Sequence, residues 1–235
     1  VYAIRYAGIG EIGQVEQWYR MGKAKNLEEF KVAMRLHTIP MFNTGYADRK
    51  GNLYYVYNAL LPLRNEQYNW AGYVPGNSSS TLWTSYLPYD QLPQVENPPS
   101  AFLQSCNNNP FQTTTGIGNP NPLKYSPNFG IEDIMTNRAL RARELFGNNP
   151  SVTRKEFFQY KFDKYYSADS VLAESINRFL EEAKTEDLEL TKATDLIRSW
   201  DLQTSIDNRA AALAILTFRP KDRPADFQYD YFLFL

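Results

Sequence analysis

The sequence predicts an α+β chain: a strand-hairpin element followed by a mainly helical second half. Two β-rich runs, Met41 to Tyr46 and Leu53 to Tyr57, flank the polar Asp48-Arg49-Lys50-Gly51-Asn52, which reads as strand, turn and strand. From about Ile131 onward apolar residues recur at helical spacing between stop and start signals. The 235 residues are 43% apolar and 15% aromatic, enough to bury a sizeable core in one compact domain or two small interlocked ones. Residues 1–129 form the strand, hairpin and long-loop region in this reading, and residues 130–235 the mainly helical region.

Taken in order, Val1 to Ala7 alternates and is rich in β-formers, predicting a strand at the very start. Asn26 can cap a helix that begins at Leu27, with Glu29 three residues on completing a capping-box-like start. Leu36-His37-Thr38-Ile39 follows at that helix's end, where the imidazole is expected to cap the last carbonyls. After the hairpin, Leu60 to Phe129 holds most of the prolines and no sustained period, yet also Trp70, Tyr73, Trp83, Tyr86, Tyr89, Phe102 and Phe111. So much buriable aromatic area predicts an ordered segment that wraps a surface or lines a cleft.

The helices then follow. The first runs from about Ile131 to Phe146 and stops at Gly147-Asn148-Asn149-Pro150; the second starts at the capping box Thr153 and Glu156. Leu172, Ile176, Phe179, Leu180 and Ala183 mark the buried face of a third helix, and Leu188, Ala193, Leu196, Ile197 and Trp200 that of a fourth. A fifth, Ala210 to Phe218, is apolar all round and is expected to be buried on every side. Charges such as Arg141, Arg143 and Glu144 read as solvated helix faces. The strand-like start and the apolar aromatic run from Tyr229 to Leu235 together predict an excised piece of a longer protein.

Composition closes several routes. Lys and Arg total 25 against 26 acidic residues, leaving no field to hold a nucleic-acid backbone or an anionic membrane. No apolar run reaches the roughly 18 to 20 residues a bilayer span requires. One cysteine, Cys106, excludes an internal disulfide, and with His37 the only histidine a His/Cys zinc site has too few ligands. Serine or cysteine catalysis through a histidine would have to use His37, whose helix-end setting argues against it.

Several segments in one order resemble the penicillin acylase family. Met21-Gly22-Lys23-Ala24-Lys25-Asn26 is similar to that family's helix start. Tyr46-Ala47-Asp48-Arg49-Lys50-Gly51-Asn52 is similar to its hairpin, and Leu87-Pro88-Tyr89 with Asn97-Pro98-Pro99-Ser100 to the next segment. Ser199-Trp200-Asp201 resembles a Trp-Asp pair after the helical stretch. The resemblance implies a fragment of an αββα N-terminal-nucleophile hydrolase, from the large subunit but lacking its N-terminal Ser. Such a Ser uses its own α-amine, of pKa near 8, as base, and no histidine is required.

The tetrahedral oxyanion of amide cleavage needs fixed donors, and an Asn amide suits the task. Phe102 to Pro110 resembles the family stretch ending in Asn-Asn-x-Pro, whose first Asn is the oxyanion donor; Asn107 is the matching position. It also fits a turn residue satisfying local backbone before Pro110. Cys106 stands where well-known family members carry Trp, which puts the pocket shape and the preferred acyl group in doubt. Arg138 falls where the family has an arginine supporting the oxyanion Asn and the nucleophile's amine, with Arg141 one helical turn on as the alternative. A surface charge is the plainer reading of either.

Val1 has no hydroxyl or thiol, so the chain is expected to be inactive alone. The implied partners are the remaining segments of the same acylase and an N-acyl small-molecule substrate, of the kind typified by penicillins, acyl-homoserine lactones or lipopeptides, with no nucleic acid and no membrane. No cofactor is expected of this chain, although the resemblance allows calcium in the full-length protein. It also implies a periplasmic or secreted location. From composition alone the rival is a non-catalytic periplasmic glycan- or ligand-binding helical module, stacking sugars on Tyr and Trp.

Overall fold

The computed structural model describes residues 1–218, which fall into two compact units, one from Val1 to Ile134 and one from Met135 onward. The aromatic run Tyr229 to Leu235 lies outside the described residues.

The first unit is built on a three-stranded antiparallel sheet in the order β1 (Met41–Ala47), β2 (Leu53–Ala59), β3 (Gln94–Glu96). The hairpin is where the sequence predicts it, and its turn is closed by one carboxylate. Asp48 accepts the amides of Lys50 and Asn52, the Asn52 side chain and the Tyr46 hydroxyl. These bonds, the Asn52 side chain's first, hold its carboxyl below the ordinary range because they favour the charged form. Gly51, at φ 88°, supplies the left-handed residue the turn requires. The short β3 is hidden in the sequence by its neighbouring prolines. Asn97 clamps it, donating its amide to the Leu53 carbonyl and accepting the Leu53 amide at 2.8 Å.

Two helices, α1 (Gln14–Lys23) and α2 (Leu27–Met34), precede the sheet. Asn26 caps α2 as expected, accepting the Glu29 amide at 2.9 Å. Glu29, however, reaches back to the backbone amide of Lys25 and the side-chain amide of Asn26, not to the backbone amide of Asn26. The apolar face of α2, Leu27, Phe30, Ala33 and Met34, is buried, each large side chain contributing about 1.5–3 kcal/mol. The pairing register sorts the hairpin's side chains onto two faces. Tyr46, Tyr54, Val56 and Asn58 share the helix side: Phe30 packs on Tyr46, Lys31 lies over Tyr54, and Asn58 donates to the Ile39 carbonyl. Asn43, Gly45, Tyr55 and Tyr57 share the opposite side.

Two further expectations are corrected in this unit, and one helix was not foreseen. Val1 to Tyr6 pairs with no strand among the described residues; alternation creates a strand only where a ladder partner exists. Instead Tyr2 stacks on Tyr73 and Arg5 lies over Trp83. His37 does sit past the end of α2, with φ 51°, but its ring Nε2 donates to the β2 carbonyl of Ala59 at 2.9 Å, not to a helix carbonyl. Helix α1 has no counterpart in the sequence reading, because Val15, Trp18 and Tyr19 are exposed and the residue it buries is polar. That residue, Gln17, accepts the amides of Thr38 and Ile39 and so fixes the chain entering β1.

The second unit contains α3 (Asn137–Leu145), α4 (Arg154–Lys161), α5 (Val171–Glu182), α6 (Leu188–Arg198) and α7 (Arg209–Phe218). Its core is Leu172, Ile176, Ile197, Trp200, Ala210, Ala211 and Ala214. The Thr153–Glu156 capping box forms as expected. Helix α3 starts six residues later than predicted, at a Thr136 cap. In α6 the buried residues are Thr194 and Ile197, with Leu188 and Leu196 exposed. Helix α7 buries Ala210, Ala211 and Ala214 but leaves Leu216 exposed, since small alanines give the close-packed face. Among the described residues no helix is long and apolar enough to cross a membrane.

Candidate functional site

The segment carrying Asn107 is a loop closed at its base and capped from within. Gln104 donates its amide to the Thr113 carbonyl and its side chain to the Gln112 carbonyl at 2.9 Å. Inside this closure Asn108 accepts the Cys106 amide and donates to the Asn109 carbonyl. Asn109 caps the turn Pro110–Gln112 by accepting the Phe111 amide at 2.9 Å. Asn108 and Asn109 are buried and Asn107 is exposed, so three consecutive Asn do two different jobs.

The segment before α3 explains the late start of that helix. Asn109 donates its amide to the Ile134 carbonyl at 3.0 Å, and its side chain reaches the Asp133 carboxylate at 3.2 Å. These bonds hold residues 133 and 134 outside α3, which begins at Asn137.

Asn107 itself has φ 59°, a left-handed backbone that Asn tolerates better than most side chains. It lines a cleft of about 590 Å³ with Met41, Phe42, Asn43, Gly45, Tyr57, Ser105 and Glu132 among others. One wall is thus the sheet face carrying Asn43, Gly45 and Tyr57, and the other is the loop that Asn109 pins. Gly45 leaves room, since a Cβ there would meet nothing within 4 Å. The Tyr57 phenol is pushed up to about 12, first by burial and then by the negative charge of Glu132, so it stays protonated and can donate a hydrogen bond. Fixed amides, a phenol and an apolar rim suit the binding of a neutral polar group such as an amide carbonyl.

Sequence reasoning found Asn107 but not Tyr57, Gly45 or Glu132. The hairpin's period of two contained the signal for the first two, but which face meets the loop is a tertiary fact.

In the second unit, Arg138 lies in the first turn of α3 and is exposed. The start of that helix is held by Asn137, which accepts the Ser167 amide and donates to the Tyr165 carbonyl. Arg141 is engaged differently from the solvated charge expected of it. It donates to both Asp163 oxygens, at 2.8 and 3.1 Å, and also to Glu144, which accepts from Ser167. These bonds, led by Asp163, raise its pKa further, as expected of a bidentate structural pair.

Among the described residues no group of three or more His, Cys, Asp and Glu could hold a metal ion. His37 is spent on Ala59, and burial lowers its pKa. Cys106 is half-buried and forms no disulfide.

The family profile described as penicillin amidase matches residues 2–220. Penicillin G acylase of Escherichia coli is 33% identical over 102 residues, 43% of this chain and 12% of that protein. A solved structure, thermostable penicillin G acylase from Alcaligenes faecalis in an orthorhombic form, has a TM-score of 0.59 at 19% identity, covering 83% of this chain and 33% of that one. At that identity the likeness concerns the fold, an α+β arrangement that the two chains share. The matched parts span a third or less of the length of either relative.

Proposed function

The chain belongs to the penicillin amidase family, and from that premise we propose that it supplies part of the active-site wall of an N-acyl amide hydrolase. Asn107 is the oxyanion donor in this reading. The nucleophilic Ser, with its α-amine as base, comes from another segment of the same protein, so these 235 residues by themselves do not turn over substrate. The remaining segments are therefore its partners and an N-acyl small molecule its substrate, in the periplasm or outside the cell.

The observation that carries this reading is the contrast within one run of asparagines. Asn108 and Asn109 are buried and hold the loop, whereas Asn107 is presented to a cleft in a left-handed conformation. Fixed backbone around an exposed amide is what oxyanion stabilisation requires, because a preorganised donor need not reorient when charge develops. Arg138 is the second residue proposed. A guanidinium near the nucleophile's amine would depress that amine's pKa and raise the fraction of free base.

The test is reconstitution: the chain is combined with the remaining segments of its protein and release of a chromogenic amine from N-acyl substrates is followed. Turnover is expected on combination only. Asn107→Ala is then expected to lower kcat by roughly 100-fold or more with the fold intact, the usual effect of losing one oxyanion donor. Near-wild-type turnover in that variant would remove Asn107 from the mechanism.

A further inference from the structure

We propose that Glu132 makes the cleft selective for N-acyl amides whose amine portion carries a positive charge. This rests on the cleft being the amide site, and it names the class of amide.

Among the described residues lining the cleft, Glu132 is the one charged at neutral pH, the rest being Met, Phe, Tyr, Ser, Gly and Asn. It is exposed and makes no ion pair with any described residue. No described residue therefore neutralises its carboxylate. Tyr57 lines the same cleft, and Glu132's charge adds to burial in raising its phenol's pKa.

The rest of the geometry divides the cleft by chemistry. Met41, on the same sheet face as Asn43 and Tyr57, is an exposed apolar side chain at one end of β1, suited to an apolar acyl group. Asn107, Asn43 and Tyr57 supply neutral polar groups for the amide itself. Glu132 supplies a lone negative charge in a concave site whose protein walls focus its field. A cationic amine portion gains from this charge and a carboxylate-bearing one is repelled, so selection works by attraction and by rejection.

The experiment measures binding rather than turnover, so that it stands apart from the catalytic reading. N-acetylagmatine, N-acetylbutylamine and N-acetyl-β-alanine provide cationic, neutral and anionic amine portions on one acyl group. Each is titrated into the full 235-residue chain while the backbone amide signals of Asn107, Asn109 and Glu132 are followed by NMR. The cation is expected to bind about 2- to 5-fold more tightly than the neutral probe, the size typical of an exposed ion pair, and the anion more weakly. Raising the salt concentration is expected to compress the difference.

Glu132→Gln is expected to abolish the ranking and Glu132→Lys to reverse it; an exposed position tolerates both. An unchanged ranking in Glu132→Gln, or no binding of the cation at the cleft signals, would overturn the inference. If the ranking holds while the reconstituted protein releases no amine, it is the amidase reading that fails and the cation selectivity that stands.

Discussion

Replacing Asn109 by alanine tests whether the Asn107 loop is held as described. Asn109 is 2% exposed, and its side chain accepts the Phe111 amide while donating toward Asp133 and Ile134. Alanine leaves the Phe111 N–H without its acceptor in a half-buried turn, which costs about 1–3 kcal/mol. Ile134 adds little, because its carbonyl keeps the backbone bond from residue 109. Asp133 is exposed and regains water. The expected loss is thus about 1–3 kcal/mol, or a fall in Tm of roughly 3–10 °C for a unit of this size.

The local readout is amide hydrogen exchange at Phe111, which is expected to lose protection in step with that figure. Because Asn107 lies two residues before, turnover of the reconstituted protein is expected to fall by about 100-fold through misplacement of its amide. Asn109→Asp keeps a capping acceptor but sets a second carboxylate against Asp133. It is expected to retain Phe111 protection at low pH and to lose stability as pH rises through the carboxylate range near 4. If Asn109→Ala leaves the Phe111 amide protected and stability within about 0.5 kcal/mol, the loop is not held by this residue and the argument for a preorganised Asn107 collapses.

His37 provides a pH test. Burial lowers its folded pKa below the ordinary histidine value of 6.5, so the unfolded chain binds the proton more readily, and stability falls as pH drops from about 6.5 through the folded value. Thermal melts between pH 7.5 and 5 are expected to show this slope, and His37→Gln to flatten it; an equal slope in both proteins would assign it to other groups. Arg141 and Arg138 are expected to separate cleanly. Arg141→Ala should lower stability by about 2–4 kcal/mol, because Asp163 and Glu144 lose a largely covered partner. Arg138→Ala should leave stability within about 0.5 kcal/mol and shift the pH profile of turnover upward in pH. The reverse pattern in urea melts and pH-rate profiles would exchange the two assignments.

The residues that carry the family resemblance are mostly folding devices. Asp48 and Asn52 close the hairpin turn, Tyr89 packs in the core with its hydroxyl on Tyr54, and Asn97 clamps β3 to β2. Asp201 accepts from Gln203 and Asn208 to shape the chain before α7. Asp48, Asn52 and Asp201 act within a few residues, through a turn chemistry that allows few side chains, whereas Tyr89 and Asn97 reach β2 from 35 and 44 residues away. Asn107 was legible only by its company, since a left-handed Asn before a Pro reads equally well as an ordinary turn.

What the sequence determined by itself was local: the hairpin and its turn, the Asn26 and Thr153 caps, and most of the helical periods. These depend on backbone preferences and side-chain reach over three or four residues. Tertiary structure decided which apolar residues are covered, why residues 131–134 stay outside α3, and which sheet face meets the Asn107 loop. Each of those is settled by a partner distant in sequence, as with Asn109 for Ile134 or Gln17 for Thr38. A hydrogen bond or a buried face exists only once that partner has arrived, and no period or propensity along the chain encodes it.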